Sequence, residues 1–273
     1  MIIVERSGPG YLAAPIDRRS VPRENIQLGP YNVLHMDNAQ AGNPLPDAEH
    51  QLPDAEHQLP DAEHHEGGFR PIAELIQASR DADLGQLAGG PQYGELVEQV
   101  RELMDRARLI NPSDELAKET IATLEQLNAR LDAAVVDEWS SPSWTRTDLP
   151  ARGNVTLPPY TVSRASRDGV IADLTFRTFH LGGNNAAHGG HIALAFDDLC
   201  GMAAAVNTKA ITRTASLTVD YRSITPLNTA LRLHSWVERR DGRKVYLRAT
   251  LHDGERLCAE AHGLFIVLNP GQP

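Results

Sequence analysis

The chain is predicted to be α+β, with one antiparallel sheet wrapped around a single long helix. Three observations predict this. From about residue 150 onward, polar and apolar residues alternate with the period of two that half-buried strands require. Within that region, His188-Gly189-Gly190 opens an apolar stretch from Ile192 to Val206 with helical spacing. Asp241-Gly242 and Asp253-Gly254 each fall between two alternating runs, where a tight hairpin turn needs such a pair. A helical and partly disordered extension is expected before this unit. The expected divisions are 1–90 for a low-complexity extension, 91–149 for a helical hairpin and linker, and 150–270 for the sheet-and-helix domain.

The first 90 residues offer few regular signals. Leu-Pro-Asp-Ala-Glu-His occurs three times in tandem between residues 45 and 64, with Gln51 and Gln58 as spacers. A proline in every copy prevents a continuous helix, and the tract is acidic and poor in bulky apolar groups, so disorder is expected. His50, His57 and His64 sit on a segment with no core to set ligand geometry, so no metal site is assigned to them. Gly67-Gly68 and Gly89-Gly90 bracket a short candidate helix at Ile72–Gln77.

Two longer helices follow. Leu96, Val100, Leu103, Ala107 and Ile110 form one stripe, and Ile121, Leu124, Leu131 and Val135 form another. Between them Ser113 is placed to cap the second helix, with Asp114 and Glu115 in its favourable first turn. The pair reads as a hairpin lying against something else, an interaction or packing appendage, and Trp139 and Trp144 mark the linker after it.

The strands come next. Val170, Ala172, Leu174 and Phe176 alternate with Asp173, Thr175 and Arg177; Leu217, Val219 and Tyr221 alternate with Thr214, Ser216, Thr218 and Asp220. Val245, Leu247, Ala249 and Leu251 alternate with Lys244, Tyr246, Arg248 and Thr250. The expected order is two strands, the long helix, then four strands joined mainly by hairpins.

Bulk properties narrow the function classes. The net charge of −10 divides unevenly: residues 1–150 carry 12 basic and 26 acidic side chains, residues 151–273 carry 14 and 10. An acidic whole argues against nucleic acid, while the mildly basic C-terminal half suits a small anion such as a nucleotide-bearing thioester. No apolar run is long enough to span a bilayer, and the first residues lack the basic-then-apolar order of a secretion signal. Cys200 and Cys258 are the only cysteines, so no disulfide framework is expected and a reducing cytoplasm fits. Cys200, among small residues in mid-helix, reads as a core thiol.

The helix carries the chemistry. At 100° per residue, Ile192, Phe196, Leu199, Ala203 and Val206 share a large apolar face that should rest on the sheet. Gly190, Ala193, Asp197, Gly201 and Ala204 share a face of small side chains, along which a ligand or another backbone can approach closely. Asp197 lies in that groove, and Asp198, about 100° further round, reads as a solvated rim carboxylate. The first-turn N–H groups after His188 have no intrahelical acceptor and lie at the positive end of the helix dipole, so they are placed to stabilise an oxyanion. Gly189 and Asp197 are eight residues apart, about 12 Å along the axis, too far to serve one carbonyl from one chain. If both act, two subunits must share the site across a two-fold. The bland alternative is that Gly189-Gly190 only permits a tight turn and Asp197 only caps or pairs nearby.

The motifs Ala187-His188-Gly189-Gly190, Asp197, Gly201, Thr214 to Arg222, Pro226-Leu227, Gly242-Arg243-Lys244 and Leu264-Phe265-Ile266 resemble those of hotdog-fold acyl-CoA thioesterases of the PaaI-like and thioesterase-superfamily-member type. The resemblance covers residues 150 to 270 and implies a dimer or tetramer with active sites at the interface and acyl-CoA as substrate. It implies no cofactor and no metal. It also implies that Asp197 is the general base or nucleophile and that Gly189 donates its amide to the thioester oxygen. His188 fixes the turn, Thr214 positions the attacking water, and Asn184, Gly190, Arg243 and Lys244 bind substrate. Gly182 departs from the family pattern: many relatives carry Asn there, six residues before the histidine, which leaves Asn184 or Asn185 to take that part. Two other readings of the fold remain, a non-catalytic acyl-CoA-binding scaffold and an enoyl-CoA hydratase. The hydratase pattern asks for His five residues after the Asp, where this chain has Met202.

Overall fold

The computed structural model describes residues 87–137, 140–269 and 272. The acidic repeat with its three histidines, the candidate helix at Ile72–Gln77 and Trp139 lie outside the described residues.

The long helix forms where expected, as α3 (Gly189–Thr208), after α1 (Tyr93–Ala107) and α2 (Asp114–Leu131). His188 caps its start, and Lys209, in the left-handed conformation at φ 56°, ends it by donating its amide to the Ala205 carbonyl. Among the described residues eight strands accompany it: β1 (Tyr160–Ser166), β2 (Gly169–Leu174), β3 (Leu181–Gly183), β4 (Ala186–Ala187), β5 (Thr212–Tyr221), β6 (Leu231–Asp241), β7 (Lys244–Asp253) and β8 (Arg256–Val267). Six of them make one sheet in the order β1-β2-β6-β7-β8-β5, antiparallel throughout. The two hairpins read from Asp-Gly pairs are those joining β6 to β7 and β7 to β8. Gly242 and Gly254 supply the positive φ, 54° and 57°, that these turns demand.

The core lies between one face of the sheet and α3. Ile192, Phe196, Leu199 and Ala203 are buried there against Val170, Leu233, Leu247, Leu251, Ala261 and Phe265. Burying side chains of this size stabilises the fold by about 1.5–3 kcal/mol each. A polar group beside this core is satisfied: buried Ser235 on β6 donates its hydroxyl to the Leu199 carbonyl at 2.8 Å.

Several details differ from expectation. A short β3–β4 hairpin precedes α3, turning at Asn184 (φ 48°) and Asn185 (φ 59°), a left-handed pair that Asn tolerates better than most residues. Ser113 caps α2 as expected, accepting from the Leu116 amide at 3.2 Å, but α2 has no buried residue. Helix α1 does rest on the domain, with a different face from the apolar stripe read in its sequence. Val97 and Arg101 are buried while Leu96 and Leu103 are exposed. Its partners are backbone carbonyls and an arginine, which charged side chains satisfy and apolar ones do not. No helix among the described residues is long and apolar enough to cross a membrane.

Candidate active site

At the start of α3, backbone and imidazole are locked together. The His188 amide donates to the His180 carbonyl at 2.8 Å, and its Nδ1 accepts the Gly190 amide at 3.0 Å. A neutral imidazole accepting at Nδ1 carries its proton on Nε2, so His188 presents an N–H outward. Gly182 lies directly against this residue: a Cβ there would sit 2.8 Å from the His188 Cα. That contact leaves no room for the Asn that many relatives of the resembled type carry at this position. Asn184 and Asn185 stand exposed at the β3–β4 tip, and no hydrogen bond links the Asn184 side chain to Gly189 or Asp197 among the described residues. Gly189 is half-buried, and its carbonyl accepts the Tyr221 hydroxyl at 2.9 Å; Gly190, next along, is exposed.

Two turns further along α3, half-buried Asp197 accepts a hydrogen bond from the Thr214 hydroxyl at 2.8 Å. The pairing of β5 with β8 shifts register between Thr214 and Ser216, a bulge at Ala215. Beyond the bulge Thr214 pairs with buried Phe265 and faces α3, rather than sharing the outer face with Ser216 and Thr218 as strict alternation has it. Cys200, one turn after Asp197, is fully buried, and burial together with the negative charge of Asp197 pushes its thiol up to about 12. It is a core thiol and no nucleophile at neutral pH.

Asp198 corrects the expectation of a solvated rim carboxylate. Arg152 holds it in a two-pronged ion pair at 3.0 and 3.2 Å, and the Tyr160 hydroxyl donates to it as well. Burial and the Asp198 charge push the Tyr160 phenol well above its usual range, so it stays a donor. Asp197 is therefore the adjacent carboxylate free of a cationic partner among the described residues. Sequence reasoning missed Arg152, Tyr160, His180 and Tyr221. Tyr221 alone had a visible signal, as the last apolar residue of its alternating run.

Arg243 and Lys244 sit at the β6–β7 turn. Arg243 donates to the Val267 carbonyl at 3.3 Å and to Gln272 Oε1 at 3.1 Å, and Lys244 begins β7 opposite Ile266. Through the β7–β8–β5 ladder they share a sheet end with Thr214.

The two halves of the site touch opposite ends of one strand. Gly189 meets Tyr221 and Asp197 meets Thr214, seven residues apart on β5. At about 3.3 Å per residue, less the rise lost at the bulge, roughly 20 Å of strand separates them.

Residues 184–260 match the family model described as the thioesterase superfamily. Among curated proteins, an 88-residue segment is 35% identical to acyl-coenzyme A thioesterase THEM4 of Rattus norvegicus, covering 32% of this chain and 37% of that protein. An 85-residue segment is 42% identical to acyl-coenzyme A thioesterase THEM4 of Xenopus laevis, covering 30% of this chain and 38% of that one. The chain thus spans well under half the length of these relatives. Among solved structures, the crystal structure of a thioesterase superfamily protein superposes with a TM-score of 0.55 at 25% identity, covering 64% of this chain and 90% of that one. The sheet order and the central helix are those of a hotdog fold, and within it residues 184–260 are similar to the thioesterase superfamily.

Proposed function

We propose that this chain is an acyl-CoA thioesterase, hydrolysing the thioester to a free acid and CoA in a site shared between two protomers. The observation that carries the reading is the hydrogen bond from Thr214 to Asp197. It occupies one carboxylate oxygen and leaves the other free, while the threonine oxygen keeps a lone pair to accept from a water. A water held between the two loses its proton to Asp197 as it attacks the thioester carbon. Equally, Asp197 attacks first, and water then cleaves the mixed anhydride. In either course the carbonyl oxygen gains negative charge that the amide at the start of α3 receives, and the CoA thiolate leaves and is protonated.

The sharing of the site follows from the edge strand. Strand β5 has a free edge in this sheet. An antiparallel β5–β5 pairing centred on Thr218, with the bulge at Ala215 taking up one residue, would set Thr214 of one protomer opposite Tyr221 of the other. That brings Asp197 of one chain to the Gly189 amide of its mate, the convergence that the spacing within a single chain forbids. His188, with its outward Nε2–H, and Gly190 line the same turn. Arg243 and Lys244 lie at the Thr214 end of the sheet, where cations suit the CoA phosphates; Asn184, at the β3–β4 tip, is left to the rim of the acyl site.

The test is Asp197→Asn assayed with a panel of short, long and aromatic acyl-CoA thioesters, reading released thiol. The variant should fold and dimerise as the wild type does and lose nearly all turnover. Full activity in it moves the chemistry to another residue; tight binding of a non-hydrolysable acyl-CoA without turnover in the wild type selects the non-catalytic scaffold instead.

A further inference from the structure

Helix α1 contributes none of the residues assigned to the reaction, yet its polar side chains end at the two places that orient them. Arg101, buried, donates through Nη2 to the carbonyls of Pro150 at 3.0 Å and Asn154 at 3.1 Å. These carbonyls bracket Ala151, Arg152 and Gly153, three successive residues with φ of 50°, 58° and 77°. Left-handed backbone is unfavourable at alanine and arginine, so this turn persists because its ends are held. The turn aims Arg152 at Asp198, the chain neighbour of Asp197.

One turn along the same face of α1, Asp105 accepts from Arg177 Nε at 2.8 Å and from the Phe179 amide at 3.0 Å, and Glu98 also binds Arg177. The segment so held ends in His180, whose carbonyl receives the His188 amide. Glu98, Arg101 and Asp105 share one helix face at spacings of three and four. Val97 is the one apolar residue of α1 buried on that face, while Leu96 and Leu103 of the apolar stripe are left exposed. Partly buried charges add little net stability compared with apolar packing, but they impose geometry.

We propose that α1 is a positioning splint for the site, in which Arg101 holds the Asp197 region through the Arg152–Asp198 pair and Asp105 holds the start of α3 through His180 and His188. The assignment of a catalytic consequence rests on the function proposed above; the two mechanical arms do not. Glu98, Arg101, Asp105 and Arg152 are positioning residues that touch no reacting atom.

Hydrogen–deuterium exchange on the full chain, read by peptide, tests the arms separately from turnover. Asp105→Ala should speed exchange in residues 177–192 while peptides of β6, β7 and β8 keep their protection. Asp105→Asn, which retains an oxygen for the Phe179 amide, should restore most of that protection. Arg101→Met should speed exchange in residues 150–160 and 196–200; if it does not fold, Arg152→Met reads the same arm with α1 intact. With an accepted acyl-CoA, Asp105→Ala and the variant of the other arm should each lower kcat about ten- to a hundredfold and leave KM within about twofold, because misplacement of reacting groups acts on the chemical step. Unchanged exchange in residues 177–192 and in residues 150–160 and 196–200, or a rise shared equally by β6–β8, overturns the splint. A wild type that cleaves no thioester defeats the functional reading alone, and the exchange pattern still decides the mechanical one.

Discussion

Thr214 donates its hydroxyl to Asp197 at 2.8 Å from a strand whose alternation, taken alone, turns it the other way. The bulge at Ala215 reverses the facing of everything before it, so a single inserted residue converts a surface threonine into a partner of the helix. Thr214→Val keeps the shape and removes the donor, and turnover should fall about ten- to a hundredfold, the range of one lost hydrogen bond to a charged group. Thr214→Ser should keep most of the rate. Deleting Ala215 should be as damaging as Thr214→Val with the threonine still present. A Thr214→Val enzyme working at the wild-type rate on every accepted thioester would falsify the water-positioning role.

Gly189 permits an unusually clean removal of a backbone donor. It is the first residue of α3, where proline is tolerated, and His188 before it already has the extended backbone (ψ 133°) that a following proline prefers. An added Cβ meets the Tyr221 hydroxyl at 2.9 Å, the far end of an exposed side chain that can swing aside. Gly189→Pro should therefore fold, dimerise and lose the oxyanion donor, with kcat down by about 10²–10³. Mixed with Asp197→Asn and allowed to exchange subunits, it should recover roughly a quarter of wild-type activity, because each mixed dimer of a shared site holds one intact constellation. No recovery on mixing, with exchange of subunits verified, sends both groups back to one chain.

What was legible in the sequence was what depends on near neighbours. Ser113 caps α2 because its acceptor and the Leu116 amide are three residues apart, and the Asp-Gly turns were visible because two residues determine them. The faces of α3 were legible because a regular helix leaves no freedom in where Ile192, Phe196 and Leu199 point. Asp198 was misjudged because its partner Arg152 is 46 residues away, on a turn built from left-handed alanine and arginine that no local preference announces. The buried face of α1 was misjudged because apolar periodicity cannot detect a helix that docks through charges. In both cases the deciding contact is long-range and polar, and a pattern of hydrophobic residues carries no trace of it.

Gly182 makes a further test of the start of α3. Its position against the His188 Cα is a backbone-to-backbone approach, and no rotamer change can relieve an added Cβ at 2.8 Å. Gly182→Asn should displace His188, weaken its hydrogen bond to Gly190 and destabilise the protein by about 1–3 kcal/mol, as overpacking does. Thermal unfolding measures this directly. An unchanged melting temperature means that β3 yields more easily than so close a contact allows.

Acid sensitivity should trace to His180. It is fully buried, its Nδ1 accepts the Arg177 amide at 2.8 Å, and its Nε2 has no hydrogen-bond partner among the described residues. Burial above all, then the nearby His191, lowers it from 6.5 to about 4. Between those two values the unfolded chain binds the proton and the folded chain does not. Stability is therefore whole above pH 6.5, declines as pH falls toward 4, and levels off below, with a total loss of about 3 kcal/mol from this residue. His191 and His234 are lowered by burial too and add to the slope in the same direction. Urea midpoints measured from pH 7.5 to pH 4 should fall steadily in the wild type and clearly less in His180→Gln, which cannot take up the proton. Parallel curves for the two proteins would assign the acid loss to other groups.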